Sequence, residues 1–152
     1  MMAWTEPIYD RTESDVAEAR SLIEYYKVNG GMTGSNVLKG CLNARDLNRI
    51  ESNIQYLCDS LVGRYYFCDT PSVVSWSVNS IPKTAHITRI TGNLSKLISA
   101  YYKPPDSPVV PTNMTHYSQI NDIEKMLHQM KMMIEHMDSS YRRCGTFSCG
   151  EV

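Results

Sequence analysis

Apolar residues recur at a helical spacing in the most regular stretch of the chain, NARDLNRIESNIQYLCDSL, which begins at Asn43. Counted from Leu47, they lie at offsets 0, 3, 7, 10 and 14. This spacing places them along one narrow face, as in helices that pack on other helices. Asn43 and Asp46 are arranged as a capping box, and Gly63 follows the last apolar position. The pattern therefore predicts a helix over 44–62.

A near copy of this stretch, KTAHITRITGNLSKLISAYY, begins forty residues later. Without a gap, Arg49 and Asn53 align with Arg89 and Asn93, and the same apolar offsets recur. An ungapped match of this kind is an internal repeat. The copy predicts a second helix, over 84–102, which ends before two consecutive prolines.

Two further segments carry the same apolar period with less sequence similarity. The segment 13–27 follows a capping sequence that starts at Thr12, and the methionine-rich segment 114–140 has Thr115 as its expected cap. Thr84 is the expected cap of the helix over 84–102. The sequence therefore predicts four helices, each with an apolar face of the same spacing.

The fold class predicted from these patterns is mainly α, a bundle of three to four amphipathic helices with an internal repeat and short extended or β connectors. Residues 74–78 alternate apolar and polar side chains, which fits either a short strand or an extended strip over the bundle. The proline-rich linker 104–113 should hold the last helix apart or swing it around the others. The expected units are the N-terminal helical half 1–63, the second repeat with its extended lead-in 64–103, the linker 104–113, the methionine-rich helix 114–140 and the tail 141–152.

The repeated arginine and asparagine positions lie on one flank of their helices, one turn apart. One interpretation is that the arginine stems cover the edge of the apolar face while the asparagines tie neighbouring helices or loops. The other is that this flank is a docking surface for other proteins. The wide methionine-rich face of the last helix fits either core packing or association. The interface candidates are Trp4, Arg49, Asn53, Trp76, Arg89, Asn93, Met126 and Met133.

Composition narrows the class of partner. The 152 residues include 15 basic and 16 acidic side chains, with a formal net charge of -1, so no overall attraction to nucleic acid or to an anionic membrane is expected. No apolar run approaches the ~20 residues that span a bilayer, and we expect synthesis in a cytosol. Five unevenly spaced cysteines argue against a disulfide framework and favour small buried side chains, although a bond between Cys144 and Cys149 is possible.

No catalytic or cofactor motif is expected to operate in this chain. His136 with Cys144 and Cys149 fits no recurring zinc spacing, and the glycine-rich stretch 29–34 lacks the lysine of a phosphate loop. Three acidic residues of the second helix, Asp46, Glu51 and Asp59, are best interpreted as a solvated face. We therefore expect no enzyme activity, cofactor, metal or small-molecule substrate.

Aromatic and basic residues cluster at 64–67 and at 101–103, where two of the predicted helices end. Such clusters can stack nucleic-acid bases. Their position at the ends of amphipathic helices favours core packing or a protein interface instead.

Three motifs occur in order along roughly residues 4 to 98: WTEPIYDRTESDV, LNARDLNRIESNIQYL, and a later tryptophan followed by IP and RITGN. In these the chain resembles a family of small structural proteins of bacteriophages and prophages from Gram-positive hosts. The resemblance implies a non-enzymatic virion component of the tail, baseplate or tail-fibre region. Such a component is made in the host cytoplasm and binds itself, as a homo-oligomer, and other virion proteins. The alternative is a regulatory or adaptor module that captures one helical partner in a hydrophobic groove.

Overall fold

A computed structural model describes residues 3–31, 38–69 and 72–144 of the chain. Within them the backbone forms four α-helices and no β-strand, which confirms the prediction of a mainly helical bundle. Residues 74–77 have no regular secondary structure and Val78 lies in a turn, so the possible short strand is not formed. The helices are α1 (Glu13–Asn29), α2 (Ala44–Val62), α3 (Thr84–Ala100) and α4 (Tyr117–Cys144).

Helix α2 has the predicted bounds because its first turn is capped as expected. The Asn43 side chain accepts hydrogen bonds from the backbone N–H groups of Arg45 and Asp46, at 2.9 and 3.1 Å. In return, the Asp46 carboxylate accepts from the Asn43 N–H at 3.2 Å. Thr12 and Asp15 form the same reciprocal box at the start of α1. Both boxes satisfy N–H groups that the first turn of a helix leaves without a partner.

The predicted start of α3 at residue 84 is confirmed, but its expected cap is wrong, its predicted end at 102 is two residues too late, and α4 begins three residues after the predicted 114. Thr84 is the first residue of α3, and the cap position belongs to Lys83, whose N–H donates to the ring of His86 at 3.1 Å. Thr115 lies outside α4, which begins at Tyr117. At both sites a longer side chain of the first turn, His86 in α3 and Gln119 in α4, accepts from the free N–H groups. The expected hydroxyl residues therefore do not cap these helices.

The predicted apolar faces form the core, with one exception. On α2, α3 and α4 nearly all of the predicted positions are buried, because each of these helices turns its apolar face toward another. Helix α1 is the exception, since only Ala19 on it is buried. The buried members of the three faces are Leu47, Ile50, Ile54, Leu57 and Leu61 on α2, Ile90, Leu94 and Leu97 on α3, and Ile120, Ile123, Leu127, Met130 and Ile134 on α4.

Helices α2 and α3 run in the same direction. Near their N-terminal ends, Arg89 of α3 reaches Glu51 of α2 at 2.6 Å. Beyond their C-terminal ends, the rings of Tyr66 and Tyr101 pack edge to face with centroids 5.0 Å apart. The first contact joins the N-terminal parts of the two helices and the second joins their C-terminal ends, so the helices are parallel.

Helix α4 is parallel to α2 by the same argument. Arg49 and Glu124 pair near the starts of the two helices, and Arg64 after the end of α2 donates to Asp138 at 2.7 Å. Parallel helices cannot be joined by tight turns, so each connector has to return along the bundle. The connector before α4 buries Pro104 and Met114 on this path.

Gly40 allows the connector before α2 to cross the first turn of α1. A Cβ atom at this position would lie 2.0 Å from the carbonyl oxygen of Asp15 and 2.6 Å from the nitrogen of Val16. Both are backbone atoms that cannot rotate away. Any other residue at position 40 would push α1 off the connector.

Two cysteines form a bond that the sequence did not predict. Cys58 of α2 and Cys68 of the following connector are joined by a disulfide, with Cα atoms 5.6 Å apart. Both are buried, as expected for small apolar side chains, but they also tie the connector to α2. Cys41 is free and partly buried. The suggested bond between Cys144 and Cys149 lies outside the described side chains.

Candidate functional site

Helices α2 and α4 share a five-residue pattern: an apolar residue, Asn, any residue, Ile and Glu. It reads LNRIE from Leu47 to Glu51 and INDIE from Ile120 to Glu124. The Asn and the Glu are three positions apart and so lie on one flank of the helix. In both copies this flank holds an extended segment of the chain. We call residues 4–11 strap 1 and residues 72–76 strap 2.

Strap 1 is held by the α4 copy of the pattern. The Asn121 side chain accepts from the backbone N–H of Arg11 at 3.3 Å and donates to its carbonyl oxygen at 2.9 Å. One turn along, the Glu124 carboxylate accepts from the N–H of Ile8 at 2.6 Å. The amide thus pairs with the backbone of one strap residue as a neighbouring β-strand would.

Strap 2 is held in the same way by the α2 copy. Asn48 accepts from the backbone N–H of Trp76 at 2.8 Å and donates to its carbonyl oxygen at 2.9 Å. Glu51 accepts from the N–H of Val74 at 3.0 Å. Two segments without secondary structure therefore have their backbone groups satisfied by the same pair of residue types.

The other end of each strap is held by the repeated asparagine of the adjacent helix. Asn53 of α2 accepts from the N–H of Thr5 at 3.0 Å and donates to its carbonyl oxygen at 2.7 Å. Asn93 of α3 donates to the carbonyl oxygen of Ser72 at 3.4 Å. Both repeated asparagines thus tie a non-helical segment of their own chain. Strap 1 therefore lies in a groove between α4 and α2, and strap 2 in a groove between α2 and α3.

Beneath strap 1 lies a cluster of four charged residues, Arg11, Asp46, Arg49 and Glu124, which we call the four-charge cluster. The Arg49 guanidinium donates to both oxygens of Glu124, at 2.9 and 2.6 Å, and to Asp46 at 2.6 Å. Arg11 donates to Asp46 at 2.8 Å and to Glu124 at 3.1 Å. Two positive and two negative charges balance, which buried ions require.

Beneath strap 2 lies a simpler pair. The Arg89 guanidinium donates to both oxygens of Glu51, at 2.6 and 2.7 Å, and also to the carbonyl oxygen of Ser72. The indole N–H of Trp76 donates to the same carboxylate at 2.7 Å. This Glu51–Arg89 pair is again neutral, and the forked geometry is the strongest that an arginine and a carboxylate form.

The repeated arginines keep their charge at any ordinary pH. Burial opposes the charged form of Arg49, but hydrogen bonds and attraction from Glu124 and Asp46 outweigh burial and raise its pKa above the usual value. Hydrogen bonding to Glu51 raises the pKa of Arg89, and burial only partly offsets the rise. Neither arginine can therefore accept or release a proton in acid–base chemistry.

The acidic residues of α2 correct one prediction. Asp46 and Glu51 were expected on a solvated face, but they are 4 % and 2 % exposed. The expectation considered the apolar face of α2 alone and missed that this helix packs on two sides, against α4 and α3, so that its flanks are also covered. Asp59 is partly buried and accepts a hydrogen bond from Gln55 within the helix at 2.8 Å.

Most of the remaining interface candidates lie within the fold. Met126 is fully buried in the core, and Trp76 is 7 % exposed. Met133 is partly buried. Trp4 is partly buried against Tyr56, with ring centroids 5.6 Å apart. Together with the four repeated residues, these side chains contact their own chain, and Met126 has no surface to offer a partner.

A cavity of about 140 Å³ lies beside the first turn of α1, lined by residues that include Arg11, Arg20, Cys41 and His116. Burial, aided by the negative charge of Asp46, raises the pKa of the Cys41 thiol above its usual value. A thiol with a raised pKa is a poor nucleophile at neutral pH. The cavity therefore offers no activated sulfur.

Among the described side chains, no three His, Cys, Asp or Glu residues come together in a way that could hold a metal ion. Over the described part of the chain, none of the helices combines the length and apolar character needed to cross a membrane.

The bundle exposes aromatic side chains at the end where α2 and α3 stop. Tyr66 and Tyr101 pack on each other, while the residues next to them in sequence point outward. Tyr65 is 101 % exposed, Phe67 88 % and Tyr102 65 %. We call these three residues the aromatic end. The two aromatic clusters noted in the sequence thus divide between internal packing and open surface.

A comparison with known proteins found no matching family model, curated protein or solved structure.

Proposed function

We propose that the protein is a non-enzymatic structural building block of a phage tail, baseplate or tail-fibre region, which assembles in several copies with other virion proteins. The sequence motifs support the setting, and the contacts of the charged residues support the non-enzymatic role. The buried carboxylates of Glu51 and Glu124 each accept hydrogen bonds from a backbone N–H and from two nitrogens of one arginine. This use of both carboxylates for holding the chain together is the observation that carries the proposal.

The same contacts explain how such a block keeps its shape. Each strap is fixed at three points, and its clamps reach helices that are distant in sequence. A subunit that packs among others must keep its surfaces in fixed relative positions. Neutral charge clusters with many hydrogen bonds are well suited to this, because each hydrogen bond has a defined direction.

The adaptor alternative is less favoured by these contacts. An adaptor of this type needs an open groove for the apolar face of a partner helix. Both strap grooves are already filled by extended segments of the chain, and their floors carry charged residues. A partner helix would have to displace a strap and leave buried arginines without their surroundings, which is strongly unfavourable.

The test is the composition of purified particles. Virions would be washed at high salt, and their proteins quantified by mass spectrometry together with labelling by a specific antibody. The proposal predicts several copies per particle, with label at the tail. Absence from washed particles, combined with co-purification of one host or phage protein from cell lysate, would instead favour the adaptor.

A further inference from the structure

Tyr65 has a backbone conformation that a tyrosine rarely adopts. It has a φ of 66°, in the left-handed region that favours glycine. The turn is held by hydrogen bonds from the N–H of Tyr65 to Val62 and from the N–H of Tyr66 to Leu61, both at 3.0 Å. A bulky residue in this region is a strained choice that calls for an explanation.

Among the residues that the structure describes, none accounts for this strain, because the Tyr65 side chain is fully exposed. A glycine would adopt the same turn without strain. Phe67, two residues on, is also exposed, although a phenylalanine has no polar group that benefits from water. The strained backbone of Tyr65 and the exposed ring of Phe67 are both unfavourable in an isolated molecule. Burial of these rings against another surface would offset that cost.

The size and charge of the surface indicate what covers it. The three side chains of the aromatic end contribute roughly 500 Å² of exposed surface area. Val62, which is 50 % exposed at the end of α2, adds to this area. A standard interface buries about 800 Å² on each partner, so the aromatic end supplies the centre of one such interface. A formal net charge of -1 gives two copies of the chain little reason to repel each other.

We infer that the aromatic end is a self-association surface, on which the aromatic end of a second copy packs. The inference rests on the proposed function as a multi-copy building block and names the surface that function would use. A two-fold arrangement brings the same patch of both copies together, and the rings can pack edge to face across it.

The test uses the full chain over a wide range of concentrations, with mass measured by sedimentation equilibrium. Wild type should pass from monomer to dimer. The double variant Tyr65→Ser/Phe67→Ser should weaken dimerisation at least tenfold. The matched control is Val78→Ser/Ile81→Ser, which removes two exposed apolar residues that precede the start of α3, at the other end of the bundle. This control should leave dimerisation unchanged.

A single variant separates assembly from folding. Tyr65→Gly should weaken the dimer while the melting temperature of a dilute, monomeric sample stays the same or rises, because glycine relieves the backbone. A residue with a purely structural role would move both quantities in the same direction.

The inference is overturned if wild type is monomeric throughout, if the serine double variant dimerises like wild type, or if both double variants weaken the dimer equally. Each result leaves the proposed function standing when the protein is found in washed particles. Absence from particles, with dimerisation lost only in the Tyr65 variants, would overturn the virion role and keep the surface.

Discussion

The two strap grooves have the same backbone clamps and differ in the side chain beneath each strap. Arg11 of strap 1 and Trp76 of strap 2 occupy matching places: an asparagine brackets the backbone of each, and each donates a side-chain N–H to the buried glutamate of its groove. One donor carries a charge and the other does not.

This difference explains the unequal number of charges. Arg11 brings a second positive charge beneath strap 1, and Asp46 of α2 supplies the matching negative charge at 2.8 Å. Trp76 adds no charge beneath strap 2, so the charges of Glu51 and Arg89 cancel without a further ionic residue. The architecture is thus indifferent to the kind of donor, provided that the buried charges cancel. The variants below test this comparison, from the largest expected effect to the smallest.

The largest effect is expected at the centre of the four-charge cluster. Glu124→Gln removes the negative charge that two buried arginines share, and loss of one partner from a buried ionic group typically destabilises by about 3–5 kcal/mol. The measurement is the free energy of unfolding in urea. The control Glu135→Gln removes an exposed carboxylate of the same helix, whose pair with Lys131 should contribute less than ~1 kcal/mol. Equal effects of the two variants would contradict the role given to the cluster.

A smaller effect is expected at Glu51. The Arg89 side chain is 21 % exposed, whereas the arginines of the four-charge cluster are 2 % and 10 % exposed. Water can therefore partly replace the carboxylate, and Glu51→Gln should destabilise by about 2–3 kcal/mol. Parallel urea titrations of the two glutamine variants give the ranking. A larger loss at Glu51 than at Glu124 would mean that charge number does not set the difference.

The disulfide distinguishes the straps further, because it ties only the connector that leads to strap 2. Cys58→Ser/Cys68→Ser opens a loop of 10 residues, for which chain entropy gives about 2–3 kcal/mol. Hydrogen exchange should quicken at Val74 and Trp76 and remain slow at Ile8. Faster exchange at Ile8 to the same degree would show that the straps open together rather than separately.

The asparagine clamps should have the smallest and most local effect. Asn48→Ala leaves the N–H and carbonyl of Trp76 without partners, and Asn121→Ala does the same to Arg11. Each should cost about 1–3 kcal/mol. Exchange measured residue by residue should quicken only in the strap that lost its clamp. Quickening in both straps after either change would argue against two independent grooves.

The helix bounds were predicted best where several signals in the sequence agreed. Helix α2 was predicted to the residue because its period, capping box and terminal glycine agree. The start of α3 was predicted correctly, but its cap and the start of α4 were not, because His86 and Gln119 act where a hydroxyl cap was expected. Local rules identify the most common capping residue, and longer side chains can take its place when they reach the same N–H groups.

The strap grooves could be predicted only in part from the sequence. The pattern shared by α2 and α4 was readable in LNRIE and INDIE, but aligning α2 with α3 drew attention to Arg49 and Asn53 instead. In that alignment α4 has Asp122 and Met126 in place of the repeated arginine and asparagine. The helix α2 in fact combines both patterns, which is why it packs on two neighbours. The alternation over 74–78 indicated a strand or an extended strip there, but no pattern in the sequence indicated which grooves the straps occupy.

The central claim is that Glu124 and Glu51 hold two segments that lack secondary structure. The most direct test is native-state hydrogen exchange of the wild-type chain at the N–H groups of Ile8 and Val74. The account predicts exchange slower than in an unstructured chain by at least about a thousandfold, equivalent to about 4 kcal/mol of opening free energy. Exchange at the rate of an unstructured chain at either group would contradict it.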